Sequence, residues 1–391
     1  MGLGGVSVAS DYPEVSKDEL ERILNSLKKR FQNGDYPNYK ERIDRINRLK
    51  LLVEENSEDF HKALQNDFGT RHEQLSLLSD TLPIIASAKY ISKNLSKWMK
   101  PEKRKPNFPL GLLGAKAFIH NQPYGVVGII SPWNFPLNLS LGPLVEVFAA
   151  GNNAMMKLSE FVPETSDLTE KLVKEYFNDD EVVVINGGPQ TSQSFAGLAF
   201  DHLLFTGSTH IAKKIAYEAS ENLVPLTLEL GGKSPVIVGP KAKMKKSVDK
   251  IMMGKLLNAG QICISPDYVF LPEGKENEFV EHAKSYVQES YETLKNNPDY
   301  TSIIHLNHYE RLRSYISDAK SKGAEIVEIN PANEDLTQQE HHKIPPTLIL
   351  NPTDDMEVMK NEIFGPILPV MSYKNFDETI KYVNHNPKAL A

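Results

Sequence analysis

Cys263 is the one thiol in 391 residues, and it lies in Asn258-Ala259-Gly260-Gln261-Ile262-Cys263-Ile264-Ser265-Pro266, a polar, glycine-containing stretch that reads as a loop. A nucleophilic cysteine needs an open, constrained backbone and neighbours that favour the thiolate, whereas a structural one is usually a small hydrophobe in an apolar element. Taken alone, burial without chemistry is the commoner fate of a free cysteine. Glu229 interrupts the apolar run 224–230 and precedes Gly231-Gly232-Lys233-Ser234-Pro235. A carboxylate at the end of a buried strand is costly unless partnered or protonated, and that burial is how a general base acquires a raised pKa. Pairing with Lys233 is the alternative. Asn134, in Pro132-Trp133-Asn134-Phe135-Pro136, offers an uncharged N–H donor suited to an oxyanion, although beside prolines asparagine is more often a turn former.

A second group of residues suits a nucleotide. No G-x-G-x-x-G follows the first strand of the sheet, but Thr206-Gly207-Ser208-Thr209 joins a strand to a helix. Such a turn lets backbone N–H groups and the helix dipole face a pyrophosphate, or it is an ordinary N-cap. Lys157 and Glu160, in Lys157-Leu158-Ser159-Glu160, follow a strand end where a ribose would rest and where a carboxylate can accept both ribose hydroxyls. Plain solvation of a strand end explains them as well. His305-Leu306-Asn307-His308 and His341-His342 lack carboxylate or thiolate companions at ligand spacing, so no metal site is expected, and His305 and His308 are expected in a surface loop.

These residues need a framework. The first hundred residues read as helices, opened by the capping-box spacing Ser16-Lys17-Asp18-Glu19 and continued by apolar residues at helical intervals, with Pro83 kinking or dividing the helix over 75–98. From Gly125 short apolar strands alternate with amphipathic helices, the pattern of a doubly wound parallel sheet. Strands are expected at 126–130, 154–158, 182–185, 202–205 and 226–230, with helices near 139–150, 163–177, 191–196 and 209–222. A second α/β portion starts near Gly231, with strands at 236–238, 268–271, 324–328, 347–350 and 368–373 and helices near 244–257, 277–291, 308–322 and 376–384. The domains are therefore 1–230 and 231–391.

Composition excludes several classes. With 40% apolar and 24% charged residues the chain is ordinary for a soluble globular protein, and a net charge of −7 without a large basic block argues against nucleic acid as a partner. A single cysteine rules out an intramolecular disulfide and points to a reducing, cytoplasmic setting. Met1-Gly2-Leu3-Gly4-Gly5-Val6-Ser7 lacks the basic and apolar regions of a signal peptide, Val6 stands where myristoylation requires Ser or Thr, and no segment has the apolar length to span a membrane.

Taken in order, Pro132-Trp133-Asn134-Phe135-Pro136, Lys157-Leu158-Ser159-Glu160, Phe205-Thr206-Gly207-Ser208, Leu228-Glu229-Leu230-Gly231-Gly232-Lys233-Ser234-Pro235, Gly260-Gln261-Ile262-Cys263 and Glu362-Ile363-Phe364-Gly365-Pro366 resemble the aldehyde dehydrogenase superfamily. Residues 258–268, with Pro266-Asp267-Tyr268, and 95–101 are most similar to its class 3-like coniferyl aldehyde dehydrogenase branch. The resemblance implies that the first domain binds NAD and the second, α/β, domain is catalytic. Cys263 attacks the aldehyde, Asn134 and the Cys263 N–H hold the oxyanion, and Glu229 activates the water that hydrolyses a thioester. It further implies that Lys157 and Glu160 meet the adenosine ribose, Gly207 and Ser208 the pyrophosphate, and Glu362 and Phe364 the nicotinamide ribose and ring. Glu160 would repel a 2′-phosphate, so NAD is expected, with NADP as the alternative. A homodimer using residues 105–123 is implied too. Family members continue beyond Ala391, so the catalytic domain reads as truncated, with the apolar faces of strands such as 368–373 left uncovered and a sheet edge unpaired. Trp133, Phe135 and Tyr268 suit an aromatic-lined aldehyde pocket, or simple packing. Cys263 and Glu229 without redox chemistry would make a thioesterase or esterase; the nucleotide motifs count against that, and retention of Cys263, Glu229 and Asn134 together counts against a non-enzymatic relic.

Overall fold

The computed structural model describes residues 12–32, 34 and 36–391. The N-terminal string examined above for targeting signals lies outside the described residues. The chain opens with α1 (Lys17–Gln32), α2 (Tyr39–Glu55), α3 (Ser57–Phe68) and the single turn α4 (Glu73–Ser76). Ser16 Oγ accepts from Glu19 N at 3.3 Å, so the capping signal does start α1. The helix expected at 75–98 is broken. Residues Leu77–Thr81 form a π-helical turn in which Leu82 N bonds to Leu77 O, and α5 (Leu82–Trp98) then carries Pro83 in its first turn, where a missing N–H costs nothing. A small antiparallel ribbon, β1 (Glu102–Arg104) and β2 (Ala117–Ile119), follows.

The first sheet comprises β3 (Val126–Ile130), β4 (Asn153–Lys157), β5 (Val182–Ile185), β6 (His202–Gly207) and β7 (Leu226–Leu230), all parallel in the order β5-β4-β3-β6-β7. Its crossovers are α6 (Leu141–Ala150), α7 (Pro163–Tyr176), α8 (Pro189–Ala196) and α9 (Thr209–Ser220). Side chains alternate between two cores, as the two-residue period of a strand requires. Val127, Ile129, Ala154, Met156, Val182 and Val184 pack with α2, α3, α5, α6 and α7. Val126, Ile130, Met155, Ile185, Leu203 and Phe205 face α1, α8 and α9. Both faces are covered, which is why these strands read as nearly continuous apolar runs.

The second sheet is built from β8 (Pro235–Ile237), β9 (Tyr268–Pro272), β10 (Glu325–Glu328), β11 (Thr347–Leu350) and β12 (Ile367–Tyr373), in the order β10-β11-β12-β9-β8. Only β10 runs antiparallel to its neighbour. On one face lie α10 (Met244–Leu256) and α11 (Glu276–Ser290); on the other α12 (Leu306–Ser321), α13 (Glu357–Lys360) and α14 (Phe376–His385). The strand expected to be uncovered, β12, is instead central. It pairs with β11 and β9 and buries Ile367, Leu368 and Val370 to 1% exposure or less, because helices close both faces and the sheet edges fall to β8 and β10.

This placement sets a contrast in stability. Leu368→Ala should cost about 2–5 kcal/mol, the usual range for emptying a packed core site, while Leu228→Ala on the edge strand β7, where the side chain is 36% exposed, should cost about 1 kcal/mol or less. Urea unfolding of the two variants measures the difference, and equal losses would contradict the central position of β12.

Candidate active site

Strand order turns back at β3: the chain runs outward through β4 and β5, then returns to β6 and β7 on the other side. Beyond the carboxyl ends of β3 and β6 such a sheet leaves a crevice, the usual ligand site of doubly wound folds. Ser131 to Asn134 leave β3 on one side of it; Gly207 ends β6 on the other and Ser208 follows it. Ser208 is the N-cap of α9, accepting from Ile211 N at 3.4 Å, so the capping and phosphate readings fall on one turn. At the end of β4, Lys157 is 1% exposed; its Nζ donates to Leu158 O at 2.5 Å and lies 3.4 Å from Glu160 Oε2. Burial lowers the Lys157 pKa and the Glu160 charge opposes that shift. A buried cation, a carboxylate and the N-terminus of a three-turn helix along one sheet edge fit a dinucleotide.

The thiol comes to the same crevice from the second half of the chain. After α10, Asn258 (φ 50) and Ala259 (φ 51) are left-handed although neither is glycine, and Gly260 continues with φ 75. A Cβ on Gly260 would stand 2.4 Å from Gly365 O, so only glycine fits. Left-handed non-glycine residues cost of order 1–3 kcal/mol each and persist only where the surroundings over-determine them. Here Asn258 Nδ2 donates to Asn134 O and Gln261 O, both at 3.3 Å. Fully buried Gln261 donates from Nε2 to Asn258 O (3.0 Å) and Ser302 O (2.9 Å) and accepts from Ile304 N (3.0 Å). Cys263 then sits half-buried on the turn closed by Ser265 N to Ile262 O at 3.0 Å. Asn134, 3% exposed, spans the two halves, its Nδ2 donating to Gln261 O at 3.1 Å.

Burial pushes the Cys263 thiol up, the Glu362 charge pushes it further, the N–H groups of Cys263 and Ile264 pull it back, and the Glu229 charge adds a smaller rise. Glu362 is itself pushed up to about 7, first by burial and then by Asp267, with the Gly232 N–H, Arg311 and Lys233 opposing. Its carboxylate rests on Gly231, where a Cβ would stand 2.0 Å from Oε1, and Oε1 has no hydrogen-bond partner among the described residues. The backbone of this segment is gripped firmly. Lys233 Nζ pairs with Asp267 Oδ2 and donates to Val358 O (2.8 Å) and Asn361 O (3.0 Å); Asp267 Oδ1 accepts from Ile363 N (2.9 Å). Arg311 donates to Glu362 O (3.3 Å) and Ile363 O (2.9 Å). Phe364 (φ 53) meets Trp133 edge-on at 5.4 Å.

Several expectations change. Glu229 is exposed, not buried: β7 is the sheet edge, so the strand end lacks a cover on the carboxylate side, and Lys233 is committed to Asp267. His305 and His308 are not in a surface loop. His305 caps α12 and His308 occupies its first turn, both half-buried beside Phe161 and Trp133, and burial lowers their pKa to about 4 and about 3. Tyr268 is a core residue packed on Phe270 and Tyr382, and Phe135 lies under Arg71, so Trp133 alone of the three aromatics borders the crevice. Sequence reasoning missed Arg71 and Asp80, whose buried pair touches the Asn134 turn, and the supporting roles of Asn258 and Gln261. The string Gly260-Gln261 carried a signal for the latter. Nothing local marked Arg71 and Asp80.

Removing a nearby negative charge favours the thiolate, so Glu362→Gln should move the midpoint of Cys263 alkylation by iodoacetamide to lower pH. Glu229→Gln should move it in the same direction by less. A midpoint unmoved by Glu362→Gln would contradict the geometry.

Comparison with known proteins gives one family. The description "Aldehyde dehydrogenase family" matches residues 6–391. The chain is 50% identical over 383 residues to a probable coniferyl aldehyde dehydrogenase of Caulobacter vibrioides, covering 96% of this chain and 79% of that one. It is 44% identical over 391 residues to a coniferyl aldehyde dehydrogenase of a Pseudomonas species, covering 100% and 79%. The substrate-bound state of Staphylococcus aureus AldH superposes with TM-score 0.88 at 34% identity, over 95% of this chain and 79% of that chain. A Mycobacterium tuberculosis aldehyde dehydrogenase complexed with NAD+ shares the fold, with TM-score 0.82 at 23% identity over 94% and 76%.

Proposed function

The chain belongs to the aldehyde dehydrogenase family, and from that footing we propose which of its residues perform the reaction and on what class of aldehyde. It is an NAD(P)-dependent oxidoreductase that converts an aldehyde to the carboxylic acid through a thiohemiacetal and a thioester on cysteine. Cys263 is the nucleophile. Its Sγ bonds to the aldehyde carbon, and the developing oxyanion is held by the Cys263 N–H and by Asn134 Nδ2, which exchanges its bond to Gln261 O for the substrate oxygen. Because burial and Glu362 favour the neutral thiol, attack requires its proton to leave, and the half-buried Glu362 carboxylate is suited to receive it near neutral pH. Bound cofactor supplies the hydride acceptor. Collapse of the thiohemiacetal leaves a thioester on Cys263, and water adds to it with Glu229 as base; exposure gives Glu229 the solvent contact this step needs. The burial and raised pKa of Glu362 favour a second reading in which Glu362 also serves the hydrolytic step.

Lys157 and Glu160 are assigned to the adenosine ribose, Gly207 and Ser208 to the pyrophosphate, and Glu362 and Phe364 to the nicotinamide ribose and ring. The Glu160 carboxylate disfavours a 2′-phosphate, so NAD is the proposed cofactor. We assign 1–230 to cofactor binding and 231–391 to catalysis. The named activities of the 50% and 44% identical relatives support an aromatic aldehyde of the coniferyl type. Among the described residues no helix is long and apolar enough to cross a membrane. We place the protein in the cytoplasm, as its single cysteine suggests, and propose a homodimer using 105–123, where Phe108, Leu112 and Leu113 are 79–86% exposed.

The observation carrying this reading is the Asn134 bridge, which brings the thiol loop to the crevice of the first sheet. Cys263→Ala should abolish NADH formation from coniferyl-type and aliphatic aldehydes alike while NAD binding, followed by fluorescence, stays within about twofold. Substantial residual oxidation would sink the mechanism.

The two glutamates separate in a stopped-flow experiment. With Glu229→Gln, a burst of NADH followed by turnover slowed on the order of 100-fold is expected, and Glu362→Gln should lower the burst itself. Loss of both phases with Glu362→Gln, together with a normal steady state for Glu229→Gln, would transfer the hydrolytic role to Glu362.

A further inference from the structure

Arg71 and Asp80 are both fully buried, with Arg71 Nη2 2.6 Å from Asp80 Oδ2. Replacing such a pair with well-packed apolar residues is often neutral or stabilising, so its presence is weak support for a purely stabilising role. Apart from those shared with neighbouring Ser79, its remaining bonds converge on one short segment. Arg71 Nη1 donates to Asn134 O at 2.8 Å, the carbonyl that Asn258 also contacts. Asp80 Oδ1 accepts from Leu137 N at 3.2 Å and Asn138 N at 3.4 Å. The turn following β3 is therefore gripped at its start by the cation and at its end by the anion. Phe68 and Phe135 flank the guanidinium at 4.6 and 5.2 Å, and Ser79 Oγ donates to Asp80 Oδ2 at 3.2 Å. Asp80 lies in the π-helical turn Leu77–Thr81, whose wider winding changes the direction of the side chains on either side of it.

We propose that the Arg71–Asp80 pair is a positioning device for the reaction: by fixing the backbone of residues 134–138 it aims the Asn134 amide at the oxygen of the aldehyde bound to Cys263. The proposal rests on the oxyanion role assigned to Asn134 above. Neither residue touches substrate, and both act through Asn134. An uncharged donor on a turn has little of its own to hold it. A displacement of about 1 Å at such a donor can cost on the order of 100-fold in rate.

The test uses Arg71→Met/Asp80→Leu, which removes both charges and leaves neither unpaired, alone and combined with Asn134→Ala. In the otherwise unaltered protein the double variant should lower kcat about 30-fold with KM for aldehyde and NAD within about threefold, the pattern of an interaction made mainly in the transition state. In the Asn134→Ala background the same substitutions should change kcat by less than about threefold, because the group they aim is gone. Full multiplication of the two losses would overturn the proposal, since a general loosening of the fold does not depend on the Asn134 side chain. Loss of NAD binding in the double variant would overturn it as well, by making the pair a requirement of the fold. Unchanged kcat in Asn134→Ala alone would instead dispose of the oxyanion role itself, whatever the Arg71 and Asp80 variants do.

Discussion

Two hydrogen bonds join the turn after β3 to the cysteine loop: Asn134 Nδ2 to Gln261 O and Asn258 Nδ2 to Asn134 O. On one side stands a turn leaving the centre of the first sheet; on the other stands a loop whose backbone is left-handed at two non-glycine residues. Neither would be accurately placed by its own local preferences. The loop holds its strained form because Gln261 is saturated with partners and Asn258 reaches across to the same carbonyl that Arg71 holds. The carbonyl of Asn134 is thus the fixed point, and its side chain inherits the accuracy.

Electrostatics near the thiol run against ready ionisation in the protein as it stands. Burial and two carboxylates oppose thiolate formation, and only backbone N–H groups assist it. The larger of the two carboxylate influences is that of Glu362, which burial pushes up to about 7. Reactivity therefore depends on the arrangement around Glu362 as much as on the cysteine loop.

Much of the fold was legible in the sequence because both sheets are covered on both faces, leaving apolar runs that strands must occupy; β3, β5, β7 and β11 fall where the runs fall. Placement within a sheet was not legible. The run at Glu229 looks like an interior strand, yet β7 is an edge, and the apolar faces of the run over 368–373 were expected to be uncovered, yet β12 is central and buried. Strand order depends on contacts between distant segments that no short window contains. The same limit explains the site. Motif strings named Cys263, Asn134, Lys157 and Glu160, but Arg71 and Asp80 stand nine positions apart around a π-helical turn, in a pattern of neither helical nor extended spacing. Histidines spaced as in His305 and His308 read as polar loop residues, and only the structure shows them under Trp133 and Phe161.

Lys233, Asp267 and Arg311 hold the backbone between Val358 and Ile363 by its peptide groups and make no hydrogen bond to the side chain of Glu362. Such a mounting separates placement from identity. Because those bonds go to backbone groups, replacing the side chain at 362 removes none of them, and the segment keeps its path whatever group it presents there.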